Sequence, residues 1–559
     1  MFVILLREEE VGSVMWLSGR TRRAVPAVAA AVALSAALSC SAGGSGGAQA
    51  REAGGDRAAP APSPTAPSPA ASSPERAPSP EPSYPLSGEP RTIPSVREHE
   101  AARGPGWRPA AGSAVVVAKG SEALADEGRL LAGELKTGFR GNGPVNAGDV
   151  ELSLDPAGGG TPESYTLTTR DDRVRITGPD EAGVFYGTRT LKQAVRAGGA
   201  MPEGVVRDRP DRPQRGLNVD IARKHFSVGW LEARLREMAD LKLNMLGLHF
   251  SDDQGFRIAS DTHPEVVSRD HLSKAEVRRI LALARSLHIT VVPEIDSPGH
   301  LGAVLRAHPG LQLRDARGVP RQGAIDISDP ESARIVDDLL REYAQLFPGR
   351  WFHVGADEYQ ALTVRDPQAS YPRLARAAVA KYGPNATVRD LATGWLNDRA
   401  SVVRAAQKQP KAWNDGFFRG GAVSPDKAIE VEYWTGREIG ARQPAEYLAE
   451  GRKVVNLNDE YLYYVLGEPN EFTYPTGRRI YEEWTPLVLR GTTPVPARYS
   501  DQILGGRLAV WGDRAQAQTE DQVAAGIRMP LRAVAQKLWT PGLPALSWAD
   551  FSALADRLG

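Results

Sequence analysis

The chain has 559 residues, too many for one compact core, so two or more domains are expected. Its 68 basic side chains balance 68 acidic ones, which argues against nucleic acid or an anionic membrane recruited by a global field and leaves an uncharged or locally recognised partner. The single cysteine, Cys40, excludes an intrachain disulfide and a thiolate metal cage.

Residues 1–49 read as an export signal: Arg20, Arg22 and Arg23 precede an apolar run from Ala24 to Leu38, and a Gly/Ser-rich stretch follows. The run is too short and too rich in alanine for a membrane-spanning helix. Ala37-Leu38-Ser39-Cys40 resembles a lipoprotein cleavage box, with leucine off-pattern before the small residue. Lipid attachment at Cys40 and ordinary cleavage near Ala48-Gln49-Ala50 both stay open; either makes the protein secreted, one of them anchored to the outer face of a bacterial membrane. Residues 50–94 are dominated by Pro, Ala and Ser, which cannot bury enough surface to offset ordering entropy, and predict a disordered linker.

Residues 95–210 predict a small α+β domain. Val115–Val117 and Val150–Leu154 read as strands, and 122–135 and 182–195 as helices. Tyr165 and Leu167 face Val174 and Ile176 across Asp171-Asp172, a hairpin signal. From residue 211 to 559 short β-rich runs alternate with helical ones. Strands are expected at 217–219, 245–249, 290–293, 351–354, 412–413, 429–433, 454–457 and 508–510, the eight units of a (β/α)8 barrel. Ser273 with Glu276 forms a capping box, and Asp329 before Pro330 an N-cap with a first-turn proline.

A site in such a barrel lies at the C-terminal strand ends. Polar and aromatic residues gather there in register: Asp220; Asp252 and Asp253; Glu294, Asp296 and His300; Asp357 and Glu358; Trp413 and Asp415; Glu432 and Trp434; Asn456, Asn458 and Tyr461; Trp511 and Asp513. Any one alone is a solvated loop carboxylate or a core aromatic. Together, tryptophans for the C–H faces of sugar rings and carboxylates for hydroxyls suggest carbohydrate, and no glycine-rich phosphate loop is present.

Four ordered motifs carry a resemblance. Arg215-Gly-Leu-Asn-Val-Asp-Ile-Ala-Arg223, His249-Phe-Ser-Asp-Asp-Gln-Gly-Phe-Arg257, Pro293-Glu-Ile-Asp-Ser-Pro-Gly-His300 and His353-Val-Gly-Ala-Asp-Glu358 look like the successive motifs of the β-N-acetylhexosaminidases, glycoside hydrolase family 20. The resemblance runs from about Ser95 to the end of the chain. It implies a barrel behind a small α+β domain, N-acetylhexosamine glycans as partners, no cofactor, and a retaining reaction in which the substrate's 2-acetamido oxygen is the nucleophile.

The resemblance further implies that Glu358 is the general acid and then base, that Asp357 orients the acetamide, and that Asp252 and His300 form a relay to Glu358. It implies Arg215 on distal sugar hydroxyls, Trp413, Trp434 and Trp511 as pocket walls, and Tyr461 donating to the acetamido oxygen. Two neighbours serve one sugar only where strand gives way to loop, since in a regular strand they face opposite sides. There are two departures: Tyr463 stands where many relatives have aspartate, and Asp513 where many have glutamate. The Tyr-Leu-Tyr form is similar to a subset that includes biofilm-polysaccharide hydrolases and lacto-N-biosidases. A metal-dependent hydrolase is disfavoured, with neither His-x-His after the first strand nor His-Glu-x-x-His; a non-catalytic glycan-binding lipoprotein has no need of the acid pair.

Overall fold

The computed structural model describes residues 83–437, 441–468, 472–540 and 542–559. The export signal and Cys40 lie outside the described residues. Order begins ahead of the expected boundary at 95. Leu86 bridges Arg103, and Thr92 and Ile93 are buried beneath Gln193, which bonds both the N–H and the carbonyl of Ile93. The final part of the proline-rich segment therefore belongs to the folded body, to whose core it offers Ile93.

Strands β1 (Glu98–Ala101), β2 (Ala114–Val117), β3 (Gly138–Arg140), β4 (Val150–Leu154), β5 (Tyr165–Arg170), β6 (Arg173–Gly178) and β7 (Gly204–Asp208) form one mixed sheet in the order β1-β7-β5-β6-β4-β2-β3. The predicted hairpin is present, Leu167 facing Ile176, with Asp171 and Asp172 both at positive φ in the turn. Helices Ala125–Leu135 and Glu181–Gly198 supply the apolar stripes that cover it.

The second layer system is a closed parallel barrel. β8 (Gln214–Asp220), β9 (Met245–His249) and β10 (Thr290–Ser297) are followed by a small ribbon, β11 (Gln312–Arg314) and β12 (Pro320–Ile325). Then come β13 (Trp351–Gly355), β14 (Gln409–Trp413), β15 (Glu430–Tyr433) and β16 (Val454–Asn456). The short β17 (Tyr463–Val465) lies outside the ring on β18 (Ile503–Trp511), which pairs with both β16 and β8 and closes it. Both predicted caps form: Ser273 and Glu276 bond reciprocally at one helix start, and the Asp329 carboxylate accepts from the Glu331 N–H at another.

The mixed sheet packs against the N-terminal end of the barrel through buried ion pairs. Lys242 Nζ meets Asp208 at 3.0 Å with neither side chain exposed, and Trp539 Nε1 donates to the same carboxylate at 2.9 Å. The opposite, C-terminal end is left clear for the strand-end residues.

Candidate active site

Asp357 and Glu358 follow the last residue of β13. The backbone there is left-handed at Gly355 (φ 74°), Ala356 (φ 87°) and Glu358 (φ 44°), a turn that ordinary side chains resist. A Cβ on Gly355 would sit 1.7 Å from Asp296 Oδ1, so only glycine fits. Hydrogen bonds hold the kink: the Ala356 N–H donates to Asp296 Oδ1 at 3.1 Å and the Glu358 N–H to Asp415 Oδ2 at 2.9 Å. The alternation of a strand is thereby broken, and both carboxylates reach one point. His300 Nε2 is 3.5 Å from Asp357 Oδ2 and 3.5 Å from Glu358 Oε2.

Behind His300 stands Asp252, its Oδ1 3.4 Å from Nδ1. Burial works against the Asp252 charge, but Arg223 and His300 hold it well below the usual carboxylate range. Burial opposes the imidazolium of His300, yet Asp252, Asp357 and Asp296 raise its pKa well above the ordinary value. Asp357 and Asp296 each keep a buried oxygen that no donor among the described residues reaches. Burial, with the charge of Asp357 adding to it, pushes Asp296 well above the usual carboxylate range, and burial raises Asp357 as well against the pull of His300.

The expected relay from Asp252 through His300 to Glu358 is thus brought together, with His300 touching Asp357 as well. Trp413, Trp434, Trp511 and Tyr463 form one aromatic cluster at the same strand ends. Trp413 Nε1 donates to Glu294 at 2.7 Å and Trp434 Nε1 to Asp415 at 3.0 Å, so carboxylates fix both ring planes. Asp513 shares the surroundings of Arg223, Asp220 and Asp252, and burial raises its pKa.

Two expected residues lie elsewhere. Arg215 opens β8 at the end facing the mixed sheet, where it binds Glu163 at 2.8 Å and the carbonyls of Lys242 and Arg212. Five residues of strand, roughly 16 Å, separate it from the site end. Arg223, past the end of the same strand, stands at the site end: it pairs with Asp252 at 2.7 Å and Asp220 at 3.0 Å, its guanidinium 5.5 Å from the Trp511 ring centre. Tyr461 belongs to the short helix Asp459–Leu462 and points to Glu483 at 3.1 Å, under Arg479. Tyr463, two residues on, lies parallel to Trp434 with ring centres 5.7 Å apart and stands 5.6 Å from Trp511. The strand-end rule applied within the first motif selects Arg223, since Arg215 begins the strand that Asp220 ends. Asp296 and Asp415 were visible as strand-end acids, but their link to the Asp357-Glu358 turn is set by folding alone.

Two groups inside the barrel bring metal-ligating atoms within 4.8 Å of one another: His249, Glu294 and Asp296, and Asp296, His300 and Asp357. In both groups the imidazole nitrogens face carboxylates. His249 bridges Asp252 at 2.8 Å and Glu294 at 3.1 Å, and His300 lies between the carboxylates described above.

Paired carboxylates at a kinked strand end, a histidine close to both, and a wall of indoles make up one site at the C-terminal end of the barrel. The profile "Glycosyl hydrolase family 20, catalytic domain" matches residues 213–542, and that family's domain 2 matches 89–209. The chain belongs to glycosyl hydrolase family 20. It is 30% identical over 480 residues to the lacto-N-biosidase of Bifidobacterium bifidum, covering 84% of this chain and 42% of that protein's length, less than half. With the β-N-acetylhexosaminidase of Cellulomonas fimi it shares 27% identity over 460 residues, 76% of this chain and 83% of the other. The GH20 exo β-N-acetylglucosaminidase of Vibrio harveyi, solved with N-acetylglucosamine, superimposes with a TM-score of 0.68 at 21% identity over 87% of this chain and 79% of its own, a likeness of fold.

Proposed function

We propose that the protein is an exo-acting β-N-acetylhexosaminidase that releases terminal N-acetylglucosamine or N-acetylgalactosamine by a retaining, substrate-assisted reaction. The observation that carries this reading is the convergence of Asp357 and Glu358 on His300 Nε2 at 3.5 Å each. In the first step the acetamido carbonyl oxygen bonds to the anomeric carbon while the glycosidic oxygen departs with the Glu358 proton. Asp357, as the carboxylate, hydrogen-bonds the acetamide N–H as positive charge develops in the oxazolinium ring. In the second step Glu358 takes a proton from water, the hydroxide adds to the anomeric carbon, and the ring opens to restore the acetamide with net retention. Arg223 and Asp513 bind the distal hydroxyls, and the tryptophans enclose the acetamide.

A second reading, release of a disaccharide, is favoured by one residue. Tyr463 fills the space against Trp434 where many relatives place an aspartate, and the relative named a lacto-N-biosidase shares 30% identity. Aryl glycosides of N-acetylglucosamine, N-acetylgalactosamine, glucose and lacto-N-biose separate the readings. Turnover of acetamido sugars with none of glucose is expected, and Glu358→Gln lowers kcat by about 10²–10⁴-fold. Cleavage of the glucoside at a comparable rate removes acetamide participation; turnover of the lacto-N-bioside alone selects the disaccharide reading. Export, with or without a lipid on Cys40, is part of the same proposal, and mass spectrometry of the mature N-terminus tests it.

A further inference from the structure

Away from the sugar site, His263, Glu265 and His308 converge on the flank of the barrel. Glu265 Oε1 is 2.9 Å from His263 Nδ1 and 3.0 Å from His308 Nε2, and ligand atoms of all three lie within 4.8 Å of one another. A tetrahedral zinc ion with bonds of about 2.1 Å holds its ligands about 3.4 Å apart, close to these spacings. His263 is buried, and its other nitrogen, Nε2, has no hydrogen-bond partner among the described residues. It faces Asp338 Oδ2 at 3.6 Å, on helix Pro330–Leu346. A carboxylate behind the far nitrogen of a ligating imidazole is the recurring outer shell of zinc sites, because it fixes the tautomer and makes the ring a better ligand. His308 and Glu265 are partly exposed, which leaves the fourth position open to water.

We propose that His263, Glu265 and His308 bind one divalent ion of the zinc class, with Asp338 as the supporting carboxylate. The local sequence prepares it: His263-Pro264-Glu265 and His308-Pro309 each open a 3-10 turn, Pro264–Val266 and Pro309–Leu311, whose proline fixes the backbone that presents the imidazole. The ion joins two segments that lead directly from the sugar site. His263 and Glu265 lie in the loop that begins with Asp252, and His308 ends the helix Gly302–Ala307 that begins just past His300. These segments already touch, since Asp253 Oδ1 accepts the Gly302 N–H at 2.9 Å and the Asp253 carbonyl accepts from Arg306 at 2.6 Å. The metal takes no part in the chemistry. It ties together the far ends of the segments that carry Asp252 and His300, whose near ends Asp253 already joins.

Zinc content of the purified full chain after dialysis against zinc and gel filtration, with thermal melting in parallel, tests the site. About one equivalent and a raised Tm are expected for the wild type. His308→Gln and Glu265→Gln, both at partly exposed positions, lose zinc affinity by about 10–100-fold and lose the Tm increment while keeping kcat on an aryl glycoside within about threefold. Equal zinc content in wild type and both variants overturns the assignment, as does a wild type that retains none; either result leaves the glycosidase reading intact.

Discussion

Two arginines of one nine-residue motif show how differently the two ends of this barrel are built. Arg215, at the end covered by the mixed sheet, is fully buried, and Lys242 O, Arg212 O, Glu163 and Tyr186 accept from all three of its nitrogens. Arg223, at the other end, is nearly as buried and pairs with Asp220 and Asp252, yet its Nε, one Asp357 oxygen and the Trp511 indole N–H find no partner among the described residues. Buried polar atoms left waiting are costly, on the order of 1–3 kcal/mol each. The arginine at the covered end is thus saturated, and the one at the end that carries Asp357 and Glu358 is not, as expected if the proposed substrate supplies the missing partners.

Exchanging the roles is the sharpest way to break this comparison. Arg223→Ala should lower kcat/KM by about 10–100-fold through lost charged hydrogen bonds to sugar hydroxyls, with a smaller change in Tm. Arg215→Met should leave KM unchanged and cost about 2–4 kcal/mol of stability, because Glu163 and two carbonyls lose their donor; steady-state kinetics beside urea denaturation reads both. If Arg215→Met raises KM and Arg223→Ala does not, the assignment of the two ends is reversed. The tyrosines sharpen the contrast on a smaller scale. Tyr463→Phe keeps the stack on Trp434 and is expected to lower kcat by about tenfold if its hydroxyl meets the acetamide oxygen, whereas Tyr461→Phe stays within about twofold.

The smallest effect lies between the two ends, where neighbouring histidines titrate in opposite directions. Burial opposes the charge on His249, but Glu294 and Asp252 raise its pKa to about 10; burial lowers that of His353 to about 3, with Glu294 opposing. His249 therefore contributes stability in full below its unfolded value near 6.5, and that contribution is lost as pH rises toward about 10. For His353 the unfolded chain takes up the proton first, so stability falls as pH drops from about 6.5 toward 3. Imidazole nitrogen NMR shifts should show His249 cationic at pH 8 and His353 neutral at pH 5, and a shared pKa near 6.5 would refute the pairing with Glu294.

Much of this was legible in the chain itself. Short β-rich runs separated by helical ones located all eight barrel strands, and β4 and β9 match their expected bounds residue for residue. The Asp357-Glu358 pair and its loop conformation followed from the requirement that two neighbours face one sugar. What escaped was aim. Placing Arg215 and Tyr461 required knowing where β8 begins and that Asp459–Leu462 turns as a helix before β17 starts. Asp296 and Asp415 acquire their work only through the backbone N–H groups of Ala356 and Glu358, contacts spanning 60 and 57 positions.

The Asp220 carboxylate accepts the N–H of Gly512, 292 positions away, at 3.0 Å while also holding Arg223, so that arginine is anchored across the seam between β8 and β18. That seam exists only when the first and last strands have met. Recovery of hydrolysis after denaturation should consequently trail recovery of helical and sheet signal, making turnover a reporter of ring closure during biogenesis.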